Sequence, residues 1–242
     1  MSTAPTPVDQ HRQRRHLQVT LTALAVLLLA AILAAVLGDR ISSGPSKAGG
    51  TGSGVAATQA RALPAFRTVD LAGDNNVIVR VGATQSVVVH ADSNLLSRVT
   101  TRVRSGHLII GTTPGSLNAK APMFVTVSLP SIDAIRLQGD GNITAVGINS
   151  PSLIVALPGS GVIHATGATT HLAVTISGEG TALLGNLTAR SARAAISGDG
   201  SITLTSTRNL SASISGSGTI LYGGSPTHVS KAITGSGTIT GG

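Results

Sequence analysis

The stretch "AAISGDGSITLTSTRNLSASISGSGTI" at 194–220 writes "ISGDGSI" (196–202) and, after a short interval, "ISGSGTI" (214–220). The same phrase recurs as "LQGDGNI" (137–143), "LPGSGVI" (157–163), "ISGEGTA" (176–182) and "ITGSGTI" (233–239). Its leading glycines, Gly139, Gly159, Gly178, Gly198, Gly216 and Gly235, are separated by 20, 19, 20, 18 and 19 residues. A fixed period of this length marks a repeat architecture. Between the glycine pairs the chain alternates with period two. Leu172, Val174 and Ile176 precede Gly178, Ala192, Ala194 and Ile196 precede Gly198, and Leu210, Ala212 and Ile214 precede Gly216. The alternation resumes after each corner, as in Ile143 and Ala145 or Ile202 and Leu204. This is the pattern of strands with one buried face. Each repeat therefore reads as strand, Gly-x-Gly corner, strand and a looser turn such as "GINSPS" or "TSTRN". Glycine at the corner permits positive φ and close approach of stacked backbones.

A unit of this size has no core of its own, but stacked units bury a continuous one. The pattern predicts an all-β, parallel β-helix-like solenoid of ~19-residue coils. A β-sandwich is the alternative, since regularly spaced short strands with glycine turns also suit it. Recurrence of the whole phrase favours the solenoid. Small inward residues, Ala192, Ala194 and Ala212, predict a narrow interior.

The remainder divides by composition. Residues 1–16 form a polar, basic tail with Arg12, Arg14 and Arg15. Residues 17–38, "LQVTLTALAVLLLAAILAAVLG", carry no charge and are long enough for a transmembrane helix. The preceding arginines predict a cytoplasmic N-terminus and an extracytoplasmic C-terminal domain, hence a single-pass cell-membrane protein. A cleaved signal peptide is the competing interpretation, but its apolar region is usually shorter. Residues 39–63, rich in Gly, Ser and Ala, read as a flexible linker. From 64 to 242 the signal is strand throughout: "FRTVDLAG", "NVIVRVG", "SVVVHAD", "SRVTTRVRSG", "HLIIGTT" and "FVTVSLP" lead into the six phrases. The absence of cysteine excludes both disulfides and a lipoprotein anchor.

That order of opening strands followed by repeated "SGSGTI" and "SGDGSI" phrases resembles the auto-transporter adhesin head GIN domain family of bacteria. The resemblance covers about residues 64–242. It implies a right-handed β-helix-like fold and placement at the envelope or cell surface, and it brings no catalytic residues with it.

Composition narrows the chemistry. Residues 64–242 hold seven acids (Asp70, Asp74, Asp92, Asp133, Asp140, Glu179, Asp199) against eleven Lys or Arg. Nucleic-acid binding wants stacking aromatics along a basic stripe, and the whole chain has only Phe66, Phe124 and Tyr222. No nucleic-acid partner is expected. The middle residues of the corners, Asp140, Ser160, Glu179, Asp199, Ser217 and Ser236, form the sharpest candidate site, because stacking would set Glu179 beside Asp199. Such a pair suits a cation or acid–base chemistry. A solvated turn that admits only small or polar residues explains the same pattern and is preferred. His11, His16, His90, His107, His164, His171 and His228 show no metal-ligand spacing. No catalytic, cofactor or metal residue is assigned. Asn142, Asn186 and Asn209 open glycosylation sequons, usable only in a suitable host.

The sequence reads as a membrane-anchored, non-enzymatic β-solenoid acting in adhesion or envelope interaction, with an envelope polysaccharide or surface protein as partner. A ligand-sensing ectodomain and, more remotely, a polysaccharide-active β-helix enzyme are the alternatives. Lys231 stands at the inward position that Val174 holds in an earlier repeat. A lysine there predicts that stacking stops and that the ectodomain is monomeric.

Overall fold

A computed structural model describes residues 50–242. The tail and the expected transmembrane segment, 1–16 and 17–38, lie outside the described residues. Among those described, no helix is long and apolar enough to cross a membrane. The strands are β1 (Gly50–Thr51), β2 (Ala56–Ala60), β3 (Thr68–Ala72), β4 (Asn76–Val81), β5 (Ser86–Asp92), β6 (Val99–Arg104), β7 (His107–Thr112), β8 (Leu117–Asn118) and β9 (Phe124–Leu129). They continue with β10 (Ala134–Leu137), β11 (Asn142–Leu157), β12 (Val162–Ile176), β13 (Thr181–Ile196), β14 (Ser201–Ser215), β15 (Thr219–Gly223), β16 (His228–Thr234) and β17 (Thr238–Gly241). A short 3-10 turn occupies Leu96–Arg98.

The repeats stack in parallel. Leu157 pairs with Ile176, Ile176 with Ile196, Ile196 with Ile214, and Ile214 with Ile233. The fold is an all-β solenoid of about 5 turns. Parallel pairing between successive repeats is what a sandwich of antiparallel strands lacks, so the alternative falls. The inward columns are aliphatic from rung to rung. Val77, Ile143, Ile163, Ala182, Ile202 and Ile220 follow one another with 0–1% exposure. The alanines at 192, 194 and 212 are buried as expected.

Two corners turn each coil, and they differ. At the first, the span from the last inward residue before Gly-x-Gly to the first one after it is constant: Leu137 to Ile143, Leu157 to Ile163, Ile176 to Ala182, Ile196 to Ile202 and Ile214 to Ile220. The variation in repeat length is absorbed at the second corner, where the register slips between Ala145 and Ile148, between His164 and Gly167, and twice between Leu184 and Ser191. The second corner is not the loose turn expected. β11 to β14 run through it as continuous strands bent by bulges. Gly147 (φ 77°) and Gly167 (φ 130°) take conformations there that a side chain would resist. Buried hydroxyls hold this bend. Ser150 Oγ donates to Ser152 O (3.2 Å), Thr169 Oγ1 to His171 O (3.2 Å) and Ser206 Oγ to Asn209 O (2.9 Å). Each satisfies a carbonyl at a bend where the regular ladder is interrupted.

The opening segment hides a further copy of the phrase. Gly73, Asp74 and Asn75, in "LAGDNNV" at 71–77, stack beneath Gly139, Asp140 and Gly141, with Leu71 opposite Leu137 and Val77 opposite Ile143. Strands β7 and β9 pair with β3 and β4 and make the rung below. The stack is thus not in chain order at this end: β3–β4 form the second rung, β7–β9 the first, and β10 returns above. Antiparallel β6 on β7, and β5 with β2 on β9, close the end. Phe66, Leu95 and Val99 are buried there.

Residues 50–60 fall within the stretch read as a flexible linker, yet β1 pairs with β8 and β2 with β5. Asp92 supplies the reason. Its buried carboxylate accepts hydrogen bonds from Gly54 N (2.6 Å), Lys120 N (2.9 Å) and Ala121 N (3.1 Å). A Cβ at Gly52 would overlap this carboxylate, so the glycine-rich composition serves close packing there. Burial by itself would push the Asp92 carboxyl up, but the amides of Ala121, Gly54 and Lys120 outweigh it and hold it below the ordinary carboxylate range. A depressed folded-state value stabilises the protein above the unfolded value of about 3.9 and loses that contribution as pH falls through the folded one. Asp92→Asn is therefore expected to melt lower than wild type near neutral pH, with the gap narrowing as pH falls toward 2. Thermal melts of both chains across that range check this, and a pH-independent gap would contradict it.

At the other end, among the described residues, the last rung has one face unpaired. β16 pairs only with β14 and β17 only with β15. Lys231 lies opposite Ala212 in the inward column. Its ammonium donates to Ile239 O across the open end (3.2 Å) and sits 4.8 Å from the centre of the Tyr222 ring.

Candidate functional site

The stacked first corners bring together the residues singled out in the sequence. Asp140, Ser160, Glu179, Asp199, Ser217 and Ser236 stand above one another on one edge, all exposed. Two of the corner acids have backbone partners. Asp199 Oδ1 accepts from Ser217 N (3.2 Å), and Asp74 Oδ1 accepts from Asp140 N (3.4 Å). These carboxylates tie one rung to the next, and no cluster of three metal-ligating side chains occurs among the described residues. The edge is a solvated, acid-bearing ridge rather than a cleft. His164 stands on the outer face of β12, paired with Thr144 and Leu183. His107 lies beside the buried Asp70 carboxylate (3.3 Å), which also faces Arg136 (3.8 Å). His90 stacks on Phe124 with ring centres 4.2 Å apart.

The concave feature is at the opposite corner, and sequence reasoning did not single it out. There Ser152, His171, Ser191, Asn209 and His228 occupy one column on successive rungs. They line a shallow groove of about 790 Å³ together with Arg193, Ser211, Thr227 and Ser230. Arg190 and Arg208 line an adjoining depression that shares His171, Ser191, Asn209 and His228 with the groove. The buried Ser150, Thr169 and Ser206 hydroxyls fix the backbone directly behind this column, at Ser152, His171 and Asn209. Asn209 Nδ2 donates to Ser191 Oγ (3.0 Å) and Thr227 Oγ1 to Arg208 O (3.0 Å). Polar donors and acceptors are therefore presented at strand-to-strand spacing, about 4.8 Å, along the stack. The signal available in the sequence was the recurrence of Ser, His or Asn seven residues before each leading glycine from Gly159 to Gly235. Counting back from the glycines aligns these residues; the concavity beside them is what the sequence does not show.

The sequence profile of the family described as "Putative auto-transporter adhesin, head GIN domain" matches residues 65–226. The chain belongs to this family. The head GIN domain has solved structural counterparts. A crystal structure of a "putative adhesin" from Bacteroides fragilis superposes with a TM-score of 0.67 at 22% identity, covering 79% of this chain and 99% of that one. One described as a "putative lipid binding protein" from Parabacteroides distasonis gives a TM-score of 0.53 at 19% identity, covering 80% and 99%. At these identities the likeness establishes the fold. Comparison with curated proteins found no match. Neither the family nor these two structures is described as an enzyme.

Proposed function

We propose that this head GIN domain is a non-enzymatic binding head at the outer side of the cell envelope, attaching to an envelope polysaccharide or surface protein through its outward strand faces. The observation that carries the proposal is the second-corner groove, where a rigid ladder aligns Ser152, His171, Ser191, Asn209 and His228. Side chains locked to a β-ladder form a preorganised surface, so little ordering entropy is lost on binding. The 22 uncharged residues at 17–38, preceded by arginines, support a single N-terminal membrane span with the domain outside. Lys231 at the open end supports a monomeric head.

The test is retention of the purified full-length chain on immobilised envelope polysaccharides and surface proteins. Saturable binding that disappears when the chain is thermally unfolded is the expected result. Equal retention of folded and unfolded chain, or none on any of these surfaces, would overturn the proposal. Protease added to intact cells should digest the domain if it lies outside.

A further inference from the structure

Charge is segregated across the repeats. All three acids between 138 and 242, namely Asp140, Glu179 and Asp199, lie at the first corner. The second corner carries Arg190 and Arg208 in the adjoining depression and His171 and His228 in the groove column, with Arg193 on the adjoining face. All five side chains are exposed, and none has an ion-pair partner among the described residues. The nearest acid along the stack, Asp133, is held by Arg67 through two hydrogen bonds (2.6 and 2.9 Å). The three arginines thus leave uncompensated positive charge in the groove and at its border, on a lining that otherwise mixes Ser, Thr, Asn and His with Leu172, Ala173, Ala192, Leu210 and Val229.

We propose that this groove binds a linear acidic polysaccharide laid along the solenoid axis. The inference rests on the envelope-binding reading above and names its ligand class. Three features select that class. Arg190 and Arg193 on β13 and Arg208 on β14 spread charge over two neighbouring rungs, and the hydrogen-bonding column from Ser152 to His228 continues along the stack on either side, so an extended acidic polymer engages more of the groove than a small anion does. Ser191, Asn209, Ser211 and Ser230 offer hydrogen bonds to sugar hydroxyls between the charges. No Phe, Tyr or Trp lines the groove, so the large rings on which neutral sugars and nucleic-acid bases usually stack are missing there. Arginine is the residue suited to carboxylate and phosphate oxygens alike, because its planar fork meets two of them at once. The acidic group is therefore defined here by charge, and the experiment separates its two sources.

The full-length chain is titrated with polygalacturonate (carboxylate), a polyglycerol-phosphate polymer (phosphate), neutral dextran and vesicles containing phosphatidylglycerol. Binding to at least one acidic polymer, weakened by salt and absent for dextran, is expected. The double substitution Arg190→Glu/Arg208→Glu should weaken that binding at least tenfold. Arg102→Glu/Arg104→Glu makes the same change in net charge on exposed β6, at the closed end, and should leave binding within twofold. Equal loss in both double variants would reduce the effect to overall charge and overturn the proposal. So would unchanged binding in Arg190→Glu/Arg208→Glu, preference for dextran, or binding to vesicles alone. Retention on a neutral glycan or a surface protein, with no acidic polymer bound, would leave the envelope-binding reading standing and remove this one. Circular dichroism of both variants separates misfolding from lost contacts. A misfolded charge-reversal variant is replaced by Arg190→Gln/Arg208→Gln, for which the same tenfold criterion decides.

Discussion

Gly161→Ala is expected to lower the melting temperature by about 10 °C, a loss of roughly 3 kcal/mol or more for a domain of this size. Gly161 follows the exposed Ser160 in "LPGSGVI", and its backbone lies directly on the rung below. A Cβ at this position would overlap the Gly141 carbonyl oxygen and come within 2.7 Å of Leu137 Cδ2. The obstacle on one side is backbone already engaged in the corner, where Gly141 O accepts from Val162 N (3.1 Å). It cannot move without opening the stack. Close approach, rather than positive φ, is what excludes a side chain here. The neighbouring Ser160→Ala, which alters an exposed side chain in the same corner, should change stability by no more than about 0.5 kcal/mol. Thermal melts of the two variants check this. Similar melting temperatures for Gly161→Ala and wild type would mean that the rungs are not packed as described.

A lysine should be ruinous in the middle of the stack and useful at its end. Val174 is fully buried, in the column that runs through Val155, Val174, Ala194 and Ala212 to Lys231. In Val174→Lys the ammonium has only aliphatic neighbours and no route to water. An unpaired buried charge costs several kcal/mol, so this variant is expected to accumulate unfolded or to melt more than about 10 °C below wild type. Lys231 occupies the same column where the stack ends, exposed, with the Ile239 carbonyl and the Tyr222 ring as partners. Cation–π contacts at exposed sites are worth about 0.5–1 kcal/mol, so Lys231→Val should cost little stability. It should instead leave an apolar, unpaired strand edge and promote end-to-end association. Sedimentation of both chains decides this. A wild-type dimer whose mass is unchanged in Lys231→Val would show that the lysine is not what stops the stack.

Some features were legible because they are local. The period of the Gly-x-Gly phrase and the alternation around it identify strands, their buried faces and a stacked architecture. Identical units meet at identical positions, so a residue's rung and column follow from counting. Lys231 could be assigned to the inward column in this way, and the register bears that out. The corner residues Glu179 and Asp199 could be placed side by side on the same ground. The family resemblance rested on the same phrases together with the order of the opening strands.

Other features depend on contacts between distant segments. "LAGDNNV" carries one glycine where the other phrases carry two, and only its position beneath Gly139–Gly141 identifies it as a rung. The closed end is built out of chain order, and besides the local β6–β7 hairpin it uses antiparallel β2–β5 and β5–β9 pairs about 30 residues or more apart in sequence. Asp92 turns a glycine-rich stretch into paired strand by supplying a carboxylate to amides 28, 29 and 38 residues away. The groove is the clearest case. His171, Ser191, Asn209 and His228 each stand seven residues before a leading glycine, so their column could be counted, but the hollow beside it and the approach of Arg190 and Arg208 to it appear only in the folded stack. Sequence by itself determined the repeating strand and its inward face, because side-chain alternation and glycine spacing are properties of neighbouring residues. The tertiary structure alone decided the closed end of the stack, where partners lie outside the repeat, and the hollow of the groove, because the shape of a surface depends on how the bulged second corners pack and not on spacing along the chain.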